Sequence, residues 1–256
     1  MISRLSRLLL VLATVVSVGT YSHAQKPSQV SKSPAAKVAV QSDTAASASK
    51  ASAKASSKTL DDVSLNAALK LLSNGEKQLL DEINFARANP GEFLKALEAF
   101  RKNFRGKEIH YPEGGVLVTN EGAVALDDAI KFLRDIKPLP PLAVRTGMVQ
   151  AARVHANDLA SSGKSGHRGS DGSQAGERID RFGRWDDAFG ENIVYDSRTP
   201  RYDLIGMIID DGTANRGHRE NLFAEDFRVI GIATGTRANK SSFVVVTFAG
   251  GFQDKR

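Results

Sequence analysis

The chain has no cysteine in 256 residues. That excludes disulfides, a lipid-anchored cysteine and any thiolate metal site. Metal or acid–base chemistry therefore falls to histidine and carboxylate. Aromatic residues are scarce at 7%, with one tryptophan, Trp185, and four tyrosines, so an aromatic-lined lipid or glycan groove has thin support. No HExxH pair is present, which excludes the one-helix zinc-protease pattern. Leu8–Val18 is apolar but falls short of the roughly 20 residues that a membrane-spanning helix needs. It follows Arg4 and Arg7 and precedes the small residues "SHA", so residues 1–24 read as an export signal cleaved after Ala24. An uncleaved anchor is the alternative. Export without disulfides is the pattern of a bacterial periplasmic or secreted protein held together by its core alone.

Periodicity is what residues 25–58 lack. They are almost all Ala, Ser, Lys and Val, with too little apolar surface to offset the entropy of ordering, and read as a flexible linker. This stretch also accounts for the basic balance. Of the net charge of +6, Arg4 and Arg7 carry +2, and six lysines less Asp43 carry +5, so residues 59–256 come to −1. A near-neutral remainder gives no argument for nucleic acid as a partner. The lysine-studded linker is suited at most to weak, salt-dependent contact with an anionic envelope.

Residues 59–256 are long enough for one domain with a sizeable core. "GEKQLLDEINFARANP" predicts a helix ending near Asn89, which then caps a second helix with Pro90 in its first turn. "EIHYPEGGVLVTNEGA" is loop-like, "EGAVALDDAIKFLRDI" is helical, and "KPLPPL" forces an extended connection. "RTGMVQAARVHANDLASSG" is the clearest helix, with the stripe Met148, Ala152, His155 and Leu159, stopping at Gly163. "YDLIGMIIDDG" predicts a short helix stopping at Gly212. The chain then changes period: "FRVIGIATG" and "SSFVVVTFAGG" are β-branched runs joined as a hairpin by "TRANKS". Helices followed by a terminal hairpin imply an α+β domain with an antiparallel sheet.

Beyond His23 in the signal, the histidines are His110, His155, His167 and His218. His155 lies on an apolar helix stripe and reads as a core histidine, and His110 as a surface one. His167 sits in the polar turn "SGHRGSDGS", where Asp171 and the serines form an Asx-type turn. His218 opens a short helix in "DDGTANRGHRENLF". Between them "FGENIVY" carries Glu191. Two imidazoles and one or two carboxylates meeting in a cleft would suit zinc or another divalent ion, or would activate a water. A Ser170–His167–Glu191 triad lacks any sign of an oxyanion hole. Arg216 and Arg219 read as surface ion pairs with carboxylates such as Asp226 or Glu220, and Asn192 and Asn221 as loop ties. Trp185, Phe182 and Phe189 read as packing beneath the loop that carries Glu191.

Taken in order, "LLDEINFARANP", "MVQAARVHANDLASSG", "GHRGSDGS", "GENI" and "GHRENLF" before the hairpin "VIGIATG…FVVVTFAGGF" resemble the CAP superfamily over roughly residues 75–252. This superfamily comprises cysteine-rich secretory proteins, antigen 5 and pathogenesis-related-1 proteins, and the resemblance is to its bacterial, disulfide-free branch. It implies a three-layer α-β-α sandwich with a central antiparallel sheet and a large open cleft. It also implies a cleft tetrad able to hold a divalent metal, with His167, Glu191 and His218 on three of its positions. The family's tryptophan followed three residues later by glutamate is absent. Placing Ile208 on the tryptophan puts Asp211 on the acidic position, with Asp210 as the substitute. The stretch "RGKEIHYPEGGVLVTNEGAVALDDAIKFL" has no counterpart in compact members and is expected to roof or narrow one end of the cleft.

Three readings of function stay open. The first is a monomeric module that binds a divalent metal and an extracellular peptide, glycan or lipid, and the absence of a dedicated nucleophile favours it. The second is a metal- or acid-assisted, peptidase-like hydrolase acting on extracellular or cell-wall substrates. The third is a non-catalytic envelope-interaction protein.

Overall fold

A computed structural model describes residues 64–255; the expected export signal and linker, residues 1–24 and 25–58, lie outside them. After a helical stretch at 64–70 (α1), α2 (Asn74–Ala88) begins on a capping box. The Ser73 hydroxyl accepts from the Glu76 N–H at 3.3 Å while the Glu76 carboxylate accepts from the Ser73 N–H at 2.8 Å, so two orphan donors of the first turn are satisfied reciprocally. Proline opens α3 (Pro90–Phe100), as its fixed φ allows. Asn89 does not cap that helix with its side chain, which turns back to donate to the Phe85 carbonyl at 3.3 Å.

The stretch expected to be loop-like is a small antiparallel sheet in the order β1 (Phe104–Arg105), β2 (Glu108–His110), β3 (Val116–Val118). Its strands are too short for period-two patterning to register. Gly114 and Gly115, at φ +99° and +91°, make the tight return between β2 and β3. Helix α4 (Ala123–Asp135) follows, then β4 (Ala143–Val144) and α5 (Thr146–Ser162), which stops where Gly163 turns left-handed at φ +68°. The remaining elements are α6 (Ala175–Asp180), β5 (Gly183–Tyr195), α7 (Pro200–Ile209), α8 (Gly217–Leu222), β6 (Val229–Thr236) and β7 (Ser242–Asp254).

The main sheet has the order β4-β6-β7-β5 and is antiparallel except for the short β4–β6 edge pairing, which is parallel. Alternation along its strands sorts the core into layers. Ile230, Ile232, Val244, Val246 and Phe248 face a cluster contributed by α2, α3, α4, α7 and α8. The intervening Ala233, Phe243 and Val245 face Ala152, Ala156 and Leu159 of α5, and Val229 and Ala249 face Met148 and Ala151. The result is the three-layer α-β-α sandwich expected from the sequence.

One buried carboxylate fastens the outer layers to the sheet. Glu76 has no exposed surface. Besides the capping box it accepts from both terminal nitrogens of Arg153 on α5, at 2.8 and 3.0 Å, and from the N–H of Thr234 on β6 at 2.6 Å. Burial alone would raise its pKa, but the Arg153 and backbone donors bring it below the ordinary 4.5. As pH falls below 4.5 the unfolded chain takes up the proton first, so the stabilisation is complete above that value and is lost as pH drops through the lowered folded value. Urea midpoints measured on acidification should fall, and a Glu76→Gln variant, less stable at neutral pH, should show a shallower fall. Parallel curves for the two proteins would contradict this.

Candidate functional site

The first half of the site is built on the polar turn before α6. Asp171 Oδ1 accepts from the Ser173 N–H at 2.9 Å, closing the expected Asx turn, and the Gly169 N–H donates to the Ser173 carbonyl at 2.8 Å. This holds His167 so that its Nδ1 lies 3.0 Å from Glu191 Oε1. An ionised carboxylate only accepts, so Nδ1 is the donor, and Nε2 is the ring nitrogen left free of that bond. Glu191 is buried, and Nη2 of Arg178, itself 1% exposed, bridges both its oxygens at 3.0 and 2.9 Å. Burial pushes the Glu191 pKa up, but the His167 hydrogen bond and the Arg178 charge outweigh it and leave the carboxyl below its usual range. The same guanidinium donates to the carbonyls of Ser173 at 2.8 Å and His167 at 3.0 Å, tying the turn to the strand. His155 is a core histidine as expected, wholly buried and bonded through Nε2 to the Gly166 carbonyl at 3.0 Å.

The second half is built where α7 ends. Asp210 closes that helix in a left-handed conformation, φ +50°. Its carboxylate takes His218 Nδ1 at 2.9 Å on one oxygen and the His218 N–H at 2.8 Å on the other. Asp210 is 4% exposed. Burial raises its pKa, but the hydrogen bonds and charge of His218 lower it further, so the net direction is down. The expectation that Asp211 completes the set is corrected here. Asp211 points the other way and accepts from the N–H groups of Asn120 at 2.6 Å and Glu121 at 2.8 Å. A left-handed residue swings the chain so sharply that the next side chain points away from His218.

Arg216 and Arg219 pair neither with Asp226 nor with Glu220. Arg216 bonds Glu121 at 2.6 and 2.7 Å, Asp128 at 3.2 Å and the Asp210 carbonyl at 2.8 Å. Arg219 is buried, donating to Asp128 at 2.9 Å and to the Ile209 carbonyl at 3.1 Å. Glu121 is held down to about 2, chiefly by the Arg216 hydrogen bond. The stretch expected to roof the cleft thus clamps the loop that carries His218.

Glu191 and Asn192 are successive residues of the edge strand β5 and so project to opposite faces. Asn192 Nδ2 donates to the His218 carbonyl at 3.0 Å, and Asn221 Nδ2 to Asn192 Oδ1 at 2.8 Å. Gly190 permits this approach, since a Cβ there would meet Asn221 Oδ1 at 2.8 Å. The site is therefore two histidine–carboxylate pairs flanking one strand, each imidazole about one-fifth exposed. Among the described residues no three His, Asp or Glu side chains are grouped to hold a metal ion together. Ser170 gives its hydroxyl to Asp158, not to His167. Trp185 and Phe189 stack edge to face at 4.8 Å in the cluster behind this strand, with Phe182 against it. His110 is a surface residue 2.8 Å from Glu108.

Comparison with known proteins bears on the same stretch. The family model described as "CAP: Cysteine-rich secretory protein family" matches residues 128–248. Residues 128–248 form a CAP domain. Among solved structures, an extracellular protein containing a SCP domain from Bacillus anthracis str. Ames is 25% identical over 49% of this chain, with a TM-score of 0.35; the chain spans only 38% of that protein. An outer surface protein from Borrelia burgdorferi is 17% identical, covering 52% of this chain and 90% of its own, with a TM-score of 0.38. No curated protein matches the chain.

His167, Glu191, Asp210 and His218 all fall inside the CAP match, whereas α1 to α3 and the β1–β3 sheet precede it. Sequence reasoning missed Arg178, Asp158, Glu121 and Asp128. The one usable signal for Arg178 was indirect: a carboxylate on a buried strand requires a cation, and no spacing says which one.

Proposed function

We propose that this is an exported, periplasmic or secreted CAP-domain protein whose cleft binds a divalent metal and an extracellular ligand without turning it over. The observation that carries the reading is that each cleft imidazole has Nδ1 bonded to a buried carboxylate. That arrangement fixes the tautomer and presents Nε2, the orientation in which a second carboxylate raises the basicity of a metal-binding histidine. Both oxygens of Glu191 and of Asp210 are already taken. The nitrogen left to take a metal is therefore Nε2 of His167 or of His218, each at its own pair, with Glu191 and Asp210 orienting the rings rather than ligating. A divalent ion held there would supply an electrophile for a carbonyl, carboxylate or phosphate oxygen of the ligand. Hydrolysis has weaker support, because the Ser170 hydroxyl, the candidate nucleophile, is engaged by Asp158. The lysine-rich linker adds weak, salt-dependent envelope contact.

Calorimetric zinc titration of the full chain tests this. Micromolar or tighter binding should be lost in a His167→Ala/His218→Ala double variant and weakened about 10- to 100-fold by Asp210→Asn, as for other carboxylates that orient a ligating histidine. Absence of binding in the wild type, or equal binding in the double variant, would defeat the metal reading.

A further inference from the structure

Behind the His167–Glu191 pair lies a cavity of about 210 Å³, between α5, the 169–173 turn and α6. It is separate from the cleft imidazoles, neither of which lines it. Two of its lining residues carry the feature that matters. His155 and Arg178 are 0% and 1% exposed, and each has one buried nitrogen with no hydrogen-bond partner, His155 Nδ1 and Arg178 Nε. Buried polar atoms are nearly always paired, so two unpartnered nitrogens on residues that line one cavity mark where a bound molecule would find hydrogen bonds.

Their chemistry is complementary. The Gly166 carbonyl can only accept, so His155 Nε2 carries the ring proton and Nδ1 offers a lone pair. Burial lowers the His155 pKa, which keeps the ring neutral. Arg178 Nε–H can only donate. A hydroxyl matches both needs, since its oxygen can accept from Arg178 Nε and its hydrogen can go to His155 Nδ1. Around them stand the carboxylates of Asp158 and Asp171 and the hydroxyls of Ser170 and Ser173. Charge selects against an anion: Arg178 is already neutralised by Glu191, and the Asp158 and Asp171 carboxylates line the cavity. A bare cation offers no acceptor to the Arg178 Nε–H. The volume corresponds to about seven waters at roughly 30 Å³ each, more than one bridging water needs.

We propose that this cavity is a binding site for a small neutral polyol, a sugar edge or a glycerol moiety, with one hydroxyl seated between His155 Nδ1 and Arg178 Nε and a neighbouring hydroxyl donating to Asp158 or Asp171. The proposal does not depend on metal in the cleft, and its test is run without metal. An occupant would brace Arg178, which holds both Glu191 and the His167 carbonyl, from behind.

The experiment is saturation-transfer NMR and titration of the full chain with glycerol, with D-glucose and with 1-propanol as the control that keeps the carbon skeleton and one hydroxyl. Saturable millimolar binding of at least one polyol, with none of 1-propanol, is expected. Glucose alone would identify a saccharide site, and glycerol alone a glycerol-type group. Val154 is a half-buried wall residue, and Val154→Phe should fill the cavity and weaken binding at least about tenfold without unfolding the protein. His155→Gln keeps a donor for the Gly166 carbonyl and removes the Nδ1 acceptor, and should weaken binding likewise; if it does not fold, Val154→Phe decides. The proposal is overturned if neither polyol binds, if 1-propanol binds equally well, or if Val154→Phe binds like the wild type. It is also overturned if a crystal grown in glycerol holds water only in the cavity.

Discussion

An Arg178→Met variant is expected to lose about 3–5 kcal/mol of stability at neutral pH, among the largest effects of any single replacement in this protein. The side chain removed is 1% exposed and neutralises a carboxylate, Glu191, that is itself buried. The replacement fills much the same volume but leaves Glu191 charged with His167 as its remaining hydrogen-bond partner, and strips donors from the Ser173 and His167 carbonyls. A stranded buried charge is far more costly than a missing surface bridge. The double variant Arg178→Met/Glu191→Leu should lose less than the sum of the two single changes, since neither charge is then left alone. Urea unfolding of the four proteins measures this directly. A single-variant loss below about 1 kcal/mol, the ordinary size of a point-mutation effect, would mean that the guanidinium does not hold the strand to the turn.

Gly231→Ala should be comparably damaging for a wholly different reason. Gly231 lies on the face of β6 that meets α5, and a Cβ there would stand 2.2 Å from both the carbonyl carbon and oxygen of Met148. The obstacle is helix backbone, which cannot rotate aside as a side chain can. Relief requires lifting the start of α5 off the sheet, which would break the Thr247 hydroxyl bond to the Met148 carbonyl at 3.2 Å. Overpacking of this kind costs about 1–3 kcal/mol and more when backbone must move. Gly206→Ala is the control: Gly206 lies within α7, where an added Cβ would meet nothing within 4 Å, so the change should stabilise by about 0.5–1 kcal/mol through helix propensity. Thermal melts that place both variants on the same side of the wild type would refute the close-approach account.

Much of the architecture was legible along the chain because it rests on local periodicity. The segment "GEKQLLDEINFARANP" located α2, and the stripe Met148, Ala152, His155 and Leu159 located α5; the latter four are buried, as are Leu79, Leu80, Ile83 and Ala86 of α2. The hairpin of β6 and β7 followed from two β-branched runs and the turn between them. The β1–β3 sheet did not, because strands of two or three residues carry no readable alternation. Within the site, the Asx turn beneath His167 was legible from "GSDGS", since that bond spans only two residues. The partners of Arg216 and Arg219 were not, because Glu121 and Asp128 lie some ninety positions away.

By itself the sequence determined the elements that bury apolar faces, the absence of thiol chemistry, the near-neutral charge of residues 59–256 and the two imidazoles on which a cleft would depend. Each of these is a property of composition or of nearest neighbours along the chain. Only the tertiary structure decided that Asp210 rather than Asp211 grips His218, that Arg178 is the counterion of Glu191, and that the histidine–carboxylate pairs flank β5 separately instead of forming one cluster. The physical reason is common to all three. A charge in the interior is tolerated only where a partner meets it within hydrogen-bond distance, and which partner arrives is set by how layers stack and by single backbone angles such as the +50° φ of Asp210.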